Sequence, residues 1–70
     1  MMYKIELKET RKKQVEELRD VNSFNNVVFF WDCMTSGVFD SVEYAVSFAK
    51  SKMDDEDYSN IIIVKVEDSF

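Results

Sequence analysis

Eight consecutive residues in mid-chain, Val27, Val28, Phe29, Phe30, Trp31, Asp32, Cys33 and Met34, include one charge and are rich in β-forming side chains. Read as a strand, the run sets Val27, Phe29, Trp31 and Cys33 on one face and Val28, Phe30 and Met34 on the other. A strand apolar on both faces needs cover from two layers. This run is expected to be the central strand, and the remaining segments are read by how they bury it.

Tyr3, Ile5 and Leu7 alternate with Lys4, Glu6 and Lys8, the pattern of a half-buried strand over residues 2–8. Between Thr10 and Val21 the apolar residues Val15, Leu18 and Val21 recur every third position, which predicts a helix capped by Thr10, although Arg11, Lys12 and Lys13 oppose its dipole. A polar connection, residues 22–26, leads into the central run. Thr35-Ser36-Gly37 contains the only glycine and turns the chain, and Val38-Phe39 is a candidate short strand.

A second helix follows. Asp40 suits the N-cap, Glu43 the reciprocal capping position, and Phe39 is placed to pack on Tyr44. Val42, Ala45, Val46, Ala49 and Met53 form its apolar stripe, and Lys50 and Lys52 complement the C-terminal end of the dipole. Residues 54–60 read as an acidic loop. Ile61 to Val66 reads as the last strand, with Ile62, Val64 and Val66 facing one way and Ile61, Ile63 and Lys65 the other.

The order β-α-β-(turn, short β)-α-β defines an α+β domain, a single unit over residues 1–70. It predicts a three- to four-stranded sheet with two helices on one face, a split-βαβ arrangement. The opposite sheet face then exposes one side of the central strand together with Ile61 and Ile63, a surface that calls for a dimer or a docking partner. Helices on opposite faces are the other arrangement, and they remove that need.

Composition limits the chemistry. A chain of 70 residues removes only about 60 % of its unfolded surface from water, which leaves a thin core. There is no histidine or proline, and one cysteine, so the commonest general base, the usual zinc set and any intrachain disulfide are missing. Cys33 has no histidine to activate it, and Asp32 beside it disfavours the thiolate. The acidic run Asp54, Asp55, Glu56, Asp57 lacks the ligand spacing and the turn glycine of an EF-hand loop. No enzyme activity, cofactor or metal is expected. Residues 1–6 contain no signal-peptide core and no stretch is long enough to span a bilayer, which points to the cytoplasm and away from membranes.

Charge is unevenly spread. Residues 1–26 hold six cations and five anions, net +1, and residues 27–70 hold three and nine, net −6, for a total of −5. Carboxylates interleave the basic cluster Lys8, Arg11, Lys12, Lys13, and the overall charge repels a polyanion, so direct nucleic-acid binding is not expected. Asp54, Asp55, Glu56 and Asp57, with Glu67 and Asp68, instead suit a basic protein surface, steering association and imitating phosphates. Phe30, taken as the outward aromatic, Tyr58, Ile61 and Ile63 are the apolar contact candidates.

The expectation is a small acidic protein-binding module that occludes a surface of a larger protein, foremost a nucleic-acid-binding enzyme. In size and charge, and not through any motif, the chain resembles the acidic inhibitors that phages direct at restriction or CRISPR nucleases, and antitoxin or immunity proteins. That resemblance implies an inhibitor working in a host cytoplasm. The alternative is a homo-oligomeric structural or accessory subunit, a dimer joined through Phe30, Ile61 and Ile63.

Overall fold

The alternating segments at the two ends of the chain find each other. In the computed structural model, which describes residues 1–66, β1 (Met2–Leu7) and β2 (Ile61–Val66) pair antiparallel. Ile5 stands opposite Ile63, and Leu7 opposite Ile61. Tyr3 turns its N–H and C=O away from β2 and exchanges both with Phe39, at 2.8 and 2.7 Å. Met2, Lys4 and Glu6 therefore hold the ladder to Val66, Val64 and Ile62. The short strand expected at Val38-Phe39 is this single bridge.

The order continues from β1 into α1 (Glu9–Leu18), a 3₁₀ turn (Asn22–Phe24), α2 (Asn25–Ser36), α3 (Val42–Lys52) and α4 (Asp55–Tyr58), then β2. Among the described residues, two antiparallel strands and four helices replace the expected three- to four-stranded sheet with two helices.

The central strand is the element that does not exist. Its residues lie in α2, with Val28, Trp31 and Met34 buried at spacings of three. An unbroken apolar run has no period of its own, and β-propensity is weak enough for packing to override it. Phe29 and Trp31, which a strand would put on one face, lie on opposite sides: Phe29 is 69 % exposed and Trp31 3 %. The hydroxyls of Thr35 and Ser36 donate back to the carbonyls of Trp31 and Cys33, satisfying acceptors in the last turn before Gly37 ends the helix.

The other boundaries shift for local reasons. Thr10 is the second residue of α1 and not its cap; Lys8 holds the cap position with no side-chain bond, and the helix stops at Leu18. In α3 the cap is Ser41, whose Oγ accepts from the Tyr44 N–H at 3.1 Å, so Asp40 lies one residue outside and no capping box forms with Glu43. Phe39 and Tyr44 do meet, with ring centroids 5.8 Å apart. Of the α3 stripe, Ala45 and Ala49 are fully buried, Val46 and Met53 half-buried, and Val42 exposed.

The core gathers Ile5, Val15, Val28, Trp31, Met34, Ala49 and Ile61. Ile63, Leu7, Phe30 and Tyr58 pack against it. The alternation in β2 is as expected, but its orientation is reversed: Ile61 and Ile63 face the helices, and Ile62 is the isoleucine left exposed.

Candidate functional site

The acidic run is a turn of helix with internal duties. Asp54 caps α4, its Oδ1 accepting from the Asp57 N–H at 2.8 Å. Asp57 Oδ1 accepts from Arg11 Nη1 at 2.7 Å, and Arg11 Nη2 lies 3.7 Å from Glu56 Oε1. The Arg11 guanidinium also sits 5.6 Å from the Trp31 ring. That first-turn cation, unfavourable to the α1 dipole, is thus placed between a carboxylate and an aromatic face. Of the four acidic side chains, Asp54, Asp55 and Glu56 are exposed and Asp57 is half-buried. Glu67 and Asp68, named with them from the sequence, lie outside the described residues.

The apolar candidates are mostly built inward. Phe30 is not the outward aromatic: it packs edge-on against Trp31, with centroids 5.1 Å apart, on the core side of α2. Tyr58 is half-buried, with Lys50 Nζ 5.6 Å from its ring. Ile61 belongs to the core and Ile63 packs against it. Cys33, which the strand reading set on one face with Val27, Phe29 and Trp31, is exposed on α2.

A groove of about 210 Å³ runs between β1, α1 and α2, with Val15 and Trp31 among its walls and Lys4, Lys12, Arg19, Glu6, Glu16 and Asp32 around them. Its strongest cation is already spent. Arg19 donates to both Asp32 oxygens at 2.9 Å and to Glu16 at 3.0 Å. The bonds to Asp32, then those to Glu16, raise the Arg19 pKa, and Arg19 in turn holds the Asp32 carboxyl below its usual range. With charges balanced and the guanidinium satisfied, the groove offers little to an anion. It is also smaller than the ~300 Å³ at which small-molecule sites begin.

A second depression, about 290 Å³, is lined by Val38, Phe39, Asp40, Tyr44 and Phe48. The Phe39 ring lies 5.8 Å from Tyr44 and 5.2 Å from Phe48, both tilted, so three aromatic rings form one continuous wall. Val38 is 52 % and Tyr44 63 % exposed. Asp40 supplies a carboxylate at the edge, and Lys52 Nζ sits 5.8 Å from the Phe48 ring. The fold assembles the wall by anchoring Phe39 to Tyr3 and by starting α3 at Ser41, which brings Tyr44 and Phe48 onto successive turns of one side. The sequence reading missed this surface. Its signal was the pair Tyr44 and Phe48, four residues apart and off the apolar stripe of α3.

Among the described residues no three cysteine, aspartate or glutamate side chains converge as a metal set, and no helix is long and apolar enough to cross a membrane. Comparison of the chain with protein-family models, curated proteins and solved structures finds no match.

Proposed function

We propose that this chain is a protein-binding module that acts by covering a surface of a larger protein, and that the Phe39–Tyr44–Phe48 depression receives a basic side chain of that partner. The observation that carries the reading is the exposure of Tyr44 and Val38 in a concave aromatic wall, in a molecule whose small core has every reason to bury such groups. An arginine or lysine entering there meets ring faces and the Asp40 carboxylate together, the combination that holds a cation after it is desolvated. Lys52 over Phe48 is an intramolecular instance of the same attraction. The net charge of −5 favours encounter with a basic surface. Nucleic-acid-binding enzymes present such surfaces in their phosphate-contacting grooves, and occupancy of the groove is inhibition by exclusion.

The test places a photo-crosslinking phenylalanine analogue at position 44, with the same analogue at the exposed position 13 of α1 as control, in the cell that makes the protein. A discrete protein adduct from position 44, absent from position 13 and lost on Asp40→Lys, is the expected result. Identical adduct patterns from both positions, or none from position 44, overturn the reading.

A further inference from the structure

The two edges of the β1–β2 ladder are treated differently. The outer edge of β1 is engaged at Tyr3, which bonds Phe39 through both backbone groups, and α2 packs on the strand, with Trp31 and Met34 in the same core as Ile5. Among the described residues β2 is the last strand on its side of the sheet. Because Ile62, Val64 and Val66 bond to β1, the N–H and C=O groups of Ile61, Ile63 and Lys65 point the other way, and no backbone group among the described residues takes them up. The strand reads Ile-Ile-Ile-Val-Lys-Val, with no proline or bulge and one charge, Lys65. Such an edge is a template for another strand unless something guards it.

We propose that two copies of this chain associate through β2, antiparallel and centred on Ile63. The free groups are spaced symmetrically about that residue, so a two-fold axis there pairs Ile63 with its own copy and Lys65 with Ile61 of the second copy, and every outward group finds a partner. Ile62 and Val64, on the face away from the helices, then stand opposite Val64 and Ile62 of the second copy, covering the exposed Ile62. Charge selects the same arrangement. The antiparallel register carries each Lys65 to the start of the second β2 and away from its own copy, whereas an in-register parallel pairing sets Lys65 beside Lys65. A two-stranded ladder is marginal by itself, and each copy extends the other's. The association uses none of the residues in the aromatic depression and stands or falls apart from it.

The experiment combines light scattering over a concentration series with amide exchange read by NMR. A dimer is expected in which the Ile61, Ile63 and Lys65 amides gain protection as concentration rises, while those of Ile62, Val64 and Val66 are protected throughout. The full chain made by chemical synthesis with a methyl group on the Ile63 backbone nitrogen keeps every side chain and the bonds to β1, and should dimerise at least about tenfold more weakly. Protection at Ile62 and Val64 reports that this chain has folded. A monomer at every concentration up to about 1 mM, a dimer in which the three outward amides exchange freely, or a dimer indifferent to the backbone methyl group overturns the proposal.

Discussion

Arg11 reaches from the first turn of α1 to Asp57, 46 residues later in the chain, at 2.7 Å, with 16 % of its own side chain exposed. This contact ties α1 to α4 while the same guanidinium lies over Trp31. Arg11→Ala removes a charged hydrogen bond and a ring contact together, and should destabilise the fold by about 1–3 kcal/mol. Asp57→Asn should cost less, because the amide oxygen still accepts. A double-mutant cycle read by urea denaturation checks the pair: Arg11→Ala and Asp57→Ala should fall short of additivity.

The Arg19–Asp32 pair gives a pH signature. Arg19 holds the Asp32 carboxyl below its unfolded value, so the pair's contribution is complete above about pH 4, the ordinary aspartate range, and is lost as pH falls through the lowered folded value. Asp32→Asn removes the contribution at all pH values. The difference in melting temperature between the natural chain and Asp32→Asn should therefore be constant from pH 7 to about pH 5 and shrink on further acidification toward pH 2. A difference that grows on acidification contradicts the sign.

Residues 29 and 31 separate the helix from the strand it displaced. In α2 they lie on opposite sides, so Trp31→Ala should cost about 3–5 kcal/mol, enough to leave a small domain largely unfolded. Phe29→Ala should change stability by less than about 0.5 kcal/mol. Denaturation of both variants checks this, and comparable losses at both positions would restore the shared face of a strand.

The start of α3 rests on Ser41. Ser41→Ala leaves the Tyr44 N–H without its acceptor and should cost about 1 kcal/mol. Asp40→Ala, one residue earlier, should cost a small fraction of that. Thermal melts of the two variants decide which residue is the cap, and Asp40→Ala serves also as a folded background in which to probe the aromatic depression.

The parts legible in the sequence were those with a period and a defined end. Alternation located β1 and β2 to within a residue, and the stripe through Ala45 and Ala49 located α3. Residues 27–34 carried no such information, because a run apolar at every position satisfies a strand and a helix equally and only the packing of Trp31 against Ile5 and Val15 decides. The acidic turn 55–58 was too short for an apolar period, although Asp54, in its capping position, was present to be read. Ile61, Ile63 and Phe30 were misplaced for one reason: which side of a strand or helix is covered depends on where the helices lie, and that followed from the misread run. The depression at Tyr44 joins residues on two elements through the Tyr3–Phe39 bridge, a long-range pairing that no local pattern announces.

The ladder joins the first and last described elements, and the helices are strung between them, so closing it brings together parts of the chain about as distant as they can be. Neither half of a molecule cut at Gly37 owns both strands or a whole core. Two fragments made that way would each be inert and would regain the native shape only on meeting, so attaching them to two other proteins would turn this fold into a proximity reporter.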